Sequence, residues 1–143
     1  MYLTTVIDLA DRMVVGWSLS SNMTTTDTAV NAFRNAFHNR GITKNSKIII
    51  HSDRGVQYAS KEFRSLLAKY ECTQSMSTKG NCWDNAVAES FFKTIKAEAL
   101  NRYLFSNQEM LKSIIFRYIN VWYNTVRIHS ALGGLSPLKT SIL

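Results

Sequence analysis

Apolar positions change period several times along this chain, and the changes mark its elements. Tyr2–Ile7 alternates weakly and is rich in Thr, Val and Ile, and Met13–Leu19 resembles it; both read as strands, parted by a polar turn around Asp8–Arg12. Beyond the polar stretch Ser20–Thr26, the residues Val30, Phe33 and Phe37 recur on one helical face, with Thr26 or Asp27 available as a cap and Gly41 as the stop. Lys47–Ser52 contains Ile48-Ile49-Ile50, a short apolar run expected of a strand buried on both faces. Ser60 caps the next helix, whose apolar face is Phe63, Leu66, Leu67 and Tyr70. Cys72–Ser77 reads as a short strand and Thr78–Asn81 as a loop. A helix from about Asp84 turns Val87, Phe91, Ile95 and Ala99 inward. Ser106-Asn107-Gln108-Glu109 is a capping box that opens a last long helix through Ile114, Tyr118 and Trp122. A hairpin followed by alternating helices and strands implies an α/β fold: a mixed sheet with helices packed on its faces. No repeat, low-complexity tract or Pro/Gly linker divides the chain, so residues 1–143 are expected to form one domain.

Charge changes the picture more than composition does. With 45% hydrophobic and 19% charged residues, the 143-residue chain has an ordinary globular balance and enough length to bury a core. The net charge of +7 is uneven: residues 1–89 carry ten Lys/Arg against eight Asp/Glu, and residues 90–143 carry seven against two. A basic C-terminal third is the footprint of a polyanion partner or, equally, a solvated surface that favours solubility. Cys72 and Cys82 have no histidines at zinc-site spacing, so two idle thiols in a reducing cytosol are expected. The start, Met1-Tyr2-Leu3-Thr4, does not read as a signal peptide, and no apolar run is long enough to span a membrane, so a cytoplasmic location is expected.

Two carboxylates stand in positions suited to chemistry. Asp53 follows the Ile-rich strand, and functional groups gather at the carboxyl ends of strands in open α/β sheets. A turn aspartate that caps its own backbone is the alternative. Glu89 lies within the helix from Asp84, and Lys93 and Lys96 follow at i+4 and i+7 on the same face. This row suits a metal-holding carboxylate followed by two ammonium groups for phosphates, or a surface Glu–Lys pair worth a few tenths of a kcal/mol. His38 is expected in solvent, and His51 either orients Asp53 or packs in its strand. His129 lies in a basic polar segment with Arg127 and suits phosphate contact better than general-base catalysis. Trp17, Trp83 and Trp122 are expected in the core, with base-stacking platforms as the alternative.

His51-Ser52-Asp53-x-Gly55-x-Gln57-Tyr58, Ser75-x-Ser77-x-x-Gly80-Asn81-x-x-Asp84-Asn85-Ala86-x-x-Glu89-Ser90-Phe91-Phe92-x-x-Ile95-Lys96 and Tyr123-Asn124-x-x-Arg127-x-His129-x-x-Leu132-x-x-Leu135-Ser136-Pro137 together resemble insertion-sequence transposases encoded by a second reading frame. These belong to the integrase-core group of DDE enzymes, and the likeness runs over nearly the whole chain. It implies a ribonuclease H-like fold and metal-dependent cleavage and strand transfer at transposon ends. In that family thirty-five residues separate the second and third metal-binding carboxylates, as they separate Asp53 from Glu89. The resemblance therefore assigns Asp53 and Glu89 as catalytic ligands of two Mg²⁺ or Mn²⁺ ions, and Lys93, Lys96, Arg127 and His129 as DNA contacts. It also implies transposon-end and target DNA as partners, a homo-oligomer, and a separate helix-turn-helix partner chain. One position departs: the family's first catalytic Asp lies upstream of the segment resembling Tyr2–Leu19, and Asp8 matches a non-catalytic aspartate. The implied sheet lacks its first, central strand, catalysis is expected to be impaired, and residues 106–143 form a basic helical extension. A non-catalytic DNA-binding or interaction remnant is the rival reading.

Overall fold

The computed structural model of the chain describes residues 1–76, 86–104 and 107–142. Contacts divide it into two units: Met1–Val6 with Val15–Ala86, and Ile7–Val14 with Val87–Leu143. The expected loop Thr78–Asn81, Cys82, Trp83 and the start of the helix at Asp84 lie outside the described residues.

The first unit contains two two-stranded sheets, so the mixed sheet is present in two separate halves among the described residues. Strands β1 (Tyr2–Ile7) and β2 (Val14–Ser20) form one pair. Their connection is tied by hydrogen bonds from Asp8 N to Met13 O (2.9 Å) and from Arg12 N to Asp8 O (2.8 Å), with Arg12 at φ 63°. Strands β3 (Ile49–Ser52) and β4 (Thr73–Met76) pair in parallel, Ile50 opposite Gln74 and Ser52 opposite Met76. Parallel strands need a crossover. It is made by the single turn α2 (Val56–Ala59) and by α3 (Lys61–Lys69), which Ser60 caps by accepting from Phe63 N. Between β2 and β3, a π-helical segment Thr26–Val30 runs into α1 (Asn31–Arg40). Its N-cap position is Thr25 rather than Thr26 or Asp27, and the side-chain bond comes one residue earlier, from Thr24, whose hydroxyl accepts from Asp27 N and donates to the Asp27 carboxylate. Gly41, at φ 60°, ends α1 in the left-handed region that favours glycine, and Ile42 N reaches back to Phe37 O.

The core of this unit joins Val30, Phe33 and Phe37 to Ile50, Phe63, Leu66 and Leu67, with the Phe33 and Phe63 rings 5.0 Å apart edge to face. Helix α1 lies directly on β2 at Gly16, where any Cβ would meet Ala32 O at 2.3 Å. The strand β3 buries one face rather than two: Ile50 is buried, but Ile49 is 71% exposed. A run of three isoleucines does not reveal how many of its faces find a partner.

The second unit is helical. Its elements are α4 (Ala86–Glu98), α5 (Gln108–Phe116) running on as a π-helical segment Arg117–Tyr123, and α6 (Pro137–Ser141). Phe91 and Ile95 are buried from α4, Ala99 just beyond it, and Ile115, Tyr118, Ile119 and Tyr123 from the helix that follows. The cap of α5 is Asn107, accepting from Met110 N at 2.8 Å, one residue later than the expected capping box. No helix among the described residues is long and apolar enough to cross a membrane.

Candidate functional site

Asp53 leaves the sheet where β3 ends, and a set of short-range bonds fixes how it leaves. The Ser52 hydroxyl donates to Asp53 O (2.9 Å), and the Asp53 carboxylate accepts from Gly55 N (2.7 Å). Gly55 has an ordinary backbone (φ −56°), so a left-handed turn is not what requires glycine here. Space favours it: a Cβ would stand 2.9 Å from both the Asp53 carboxylate and the Gln57 amide oxygen, and these side-chain ends would have to shift. The next residues are anchored from behind, with Gln74 donating to Tyr58 O at 2.6 Å and the Tyr58 ring edge-on to Phe63. Burial, and then the nearby Asp53 charge, push the Tyr58 hydroxyl above its usual pKa. His51 Nδ1 lies 3.1 Å from the Ser75 hydroxyl on the neighbouring strand. Asp53 itself is exposed.

Glu89 belongs to the other unit. It is exposed in the first turn of α4, and exposed Lys93 and Lys96 follow it along the helix, while Phe91 and Ile95 occupy the buried face. No salt bridge forms among Glu89, Lys93 and Lys96 among the described residues, so the expected surface Glu–Lys pair is not made. Both Asp53 and Glu89 offer hard carboxylate oxygens with no cation neutralising them there, a donor chemistry that fits Mg²⁺ or Mn²⁺. Within neither unit do three or more His, Cys, Asp or Glu side chains gather at metal-binding distance among the described residues. Asp8 is engaged in its turn, accepting from Ala10 N at 2.8 Å.

Arg127 and His129 have different surroundings. Glu98, on the last turn of α4, accepts from Arg127 Nε (2.9 Å) and Nη2 (2.7 Å) and from the Tyr118 hydroxyl (2.8 Å). The bonded guanidinium holds the Glu98 carboxyl at about 2, well below its usual 4.5, with Tyr118 and, last, the Trp122 indole adding to the effect. Burial and then the bond to Glu98 raise the Tyr118 hydroxyl. His129 packs edge-on to Tyr123 at 4.9 Å, and its Nε2 is buried without a hydrogen-bond partner among the described residues. Burial, then the neighbouring Arg127 charge, lower its pKa from the usual imidazole value. Asn124, from the same motif, is buried, accepting from Val14 N and donating to Val14 O, both at 2.9 Å.

Sequence reasoning passed over Glu98. The available signal was composition: Glu98 and Glu109 are the two acids among the last 54 residues, set among seven Lys/Arg. Trp17 is half-buried, whereas Trp122 is 45% exposed, against the expectation of a core residue. Cys72 is a free, half-buried thiol whose pKa burial raises.

Two integrase-core descriptions together match most of the chain. The integrase core domain family matches residues 1–82, and a second integrase core domain description matches residues 70–137. The chain is 42% identical, over 96% of its length, to the InsF transposase of insertion sequence IS3A from Escherichia coli (strain K12). It is 39% identical, again over 96% of its length, to the transposase of insertion sequence element IS904 from Lactococcus lactis subsp. lactis (strain IL1403). It spans 46% and 53% of those relatives, about half their length. In fold it is similar to the HTLV-2 integrase catalytic core domain, solved in complex with magnesium in a trimeric form. There the TM-score is 0.67 at 19% identity, over 94% of this chain and 80% of that one. A dimeric form of the same domain gives a TM-score of 0.64.

Proposed function

The chain belongs to the integrase core family of insertion-sequence transposases, with a ribonuclease H-like fold, and on that premise we propose that it serves DNA transposition through metal-dependent attack on phosphodiesters. The observation that carries this reading is the exposed row of Glu89, Lys93 and Lys96 on α4, free of salt bridges among the described residues. Asp53 and Glu89 are proposed as carboxylate ligands of Mg²⁺ or Mn²⁺. When bound, such ions activate a water or 3′-hydroxyl and stabilise the leaving oxygen of an in-line displacement. Asp53 is kept at the end of β3 by the bond from Gly55 N. The burial of Phe91 and Ile95 sets the outward face of α4, from which Lys93 and Lys96 meet DNA phosphates. Transposon-end and target DNA are the proposed partners, with assembly of several copies and a separate end-recognising chain.

Arg127 and His129 take a different part from the one the basic motif suggested. Arg127 is held by Glu98 and His129 packs on Tyr123, so we assign them to holding the C-terminal segment within its own unit.

DNA affinity measured against salt tests the reading. Changing Lys93 and Lys96 to Glu should weaken binding to every duplex sequence alike and lower the slope of log K against log salt by about 0.9 for each phosphate no longer neutralised. Unchanged affinity and slope would assign the basic face to solubility. Salt-dependent DNA binding that no divalent ion converts into strand transfer would favour the DNA-binding remnant.

A further inference from the structure

The exposed Trp122 stands at the edge of an open cavity of about 640 Å³ within the second unit, lined by Glu98, Arg102, Trp122, Val126, Arg127 and Ile128. That size lies in the range of ligand clefts, about 300–1,000 Å³. The three apolar walls are unusually open: Trp122 is 45%, Val126 54% and Ile128 66% exposed. Neighbouring residues of the same helix, Tyr118, Ile119 and Tyr123, are buried, so this indole lies off the face that builds the core. The two guanidiniums in the cavity are not equivalent. Glu98 neutralises Arg127, whereas Arg102 uses its Nε on Ala97 O (3.2 Å) and leaves its terminal nitrogens without a partner among the described residues. The cavity thus offers an aromatic wall, aliphatic neighbours and one uncompensated cation.

We propose that this cavity binds an unstacked base of single-stranded DNA, with the base on the Trp122 indole and its phosphate at Arg102. The inference rests on the reading of the chain as a DNA-acting transposase core. A base inside a duplex is stacked on its neighbours, so an aromatic side chain reaches its face only when it is displaced or single-stranded. Stacking of this kind tolerates any sequence because every base has a π-face. Charge favours a polyanion over a second copy of the chain, which would bring one basic surface against another: residues 90–143 carry seven Lys/Arg against two Asp/Glu.

The test compares a labelled oligothymidylate with a duplex of equal length, by fluorescence anisotropy, on the 143-residue chain and its variants. Trp122→Ala should weaken single-strand binding by about 5- to 150-fold, the equivalent of about 1–3 kcal/mol, and leave duplex binding within about twofold. Trp122→Phe, which keeps an aromatic face, should retain most of the single-strand affinity, and Arg102→Ala should lower its salt slope. Lys93→Glu with Lys96→Glu should weaken the duplex, so an unchanged duplex affinity in that arm marks failure of the DNA reading itself. Circular dichroism on Trp122→Phe and Trp122→Ala separates lost binding from lost folding. Equal single-strand affinity in Trp122→Ala would overturn the proposal. So would equal losses on both DNA forms, or a Trp122→Ala effect confined to self-association in sedimentation.

Discussion

An alanine at position 55 would place its Cβ 2.9 Å from the Asp53 carboxylate, and the backbone there would accept it without strain because φ is −56°. The two atoms it meets are ends of movable side chains, so the fold can yield where the carboxylate cannot keep its place. Gly55→Ala should therefore leave the melting temperature nearly unchanged, at a cost of about 1 kcal/mol or less. It should weaken Mn²⁺ affinity by about tenfold, as changes in groups that orient a metal ligand do. A metal titration beside a thermal melt checks this; full affinity in a folded Gly55→Ala protein would show that this turn does not hold a ligand. Arg127 makes the complementary point. A basic residue in a basic tail reads as a phosphate contact, yet its guanidinium is bonded to Glu98. Net charge along a segment counts cations and does not say which of them are already paired.

Elements whose apolar residues follow one period were legible from the sequence. Phe63, Leu66 and Leu67 on α3, and Phe91 and Ile95 on α4 with Ala99 just beyond it, are buried as their spacing requires. The row Glu89, Lys93 and Lys96 was legible for the same reason, being the other side of that period. Structure held by distant partners was not. Asn124 serves as a piece of strand edge for Val14, 110 residues away, and Glu98 captures Arg127 at a separation of 29. Neither spacing leaves a local mark. The motif containing Tyr123, Asn124, Arg127 and His129 therefore read as a basic surface, whereas Tyr123 and Asn124 are buried, Arg127 is paired and His129 packs on Tyr123. Replacing Asn124 with Ala strands a buried N–H and a buried C=O on Val14, at about 1–3 kcal/mol each. Asn124→Ala should lower stability by about 2–6 kcal/mol in chemical denaturation. Asn124→Asp should recover part of this, since it accepts from Val14 N but cannot donate to Val14 O. Equal stability of wild type and Asn124→Ala would remove Asn124 from the account of how β2 is completed.

For the whole molecule, the Glu98 carboxyl links stability to pH. Its folded pKa, about 2, lies below the unfolded 4.5, so its contribution is complete above pH about 4.5 and is lost as pH falls towards 2. The melting temperature of Glu98→Gln should therefore lie below wild type at neutral pH, and the gap should close between pH about 4.5 and 2. A gap that is constant across that range would mean that the charge is not what Arg127 and Tyr118 hold. The fold was legible at this scale as an α/β arrangement of the integrase-core kind. The metal ligands are the central claim, and divalent-ion binding tests it without requiring turnover. Titration with Mn²⁺, followed by electron paramagnetic resonance, should show binding that weakens at least about tenfold in Asp53→Asn and to a similar extent in Glu89→Gln. Retention of full Mn²⁺ affinity in either folded variant would contradict the proposed assignment.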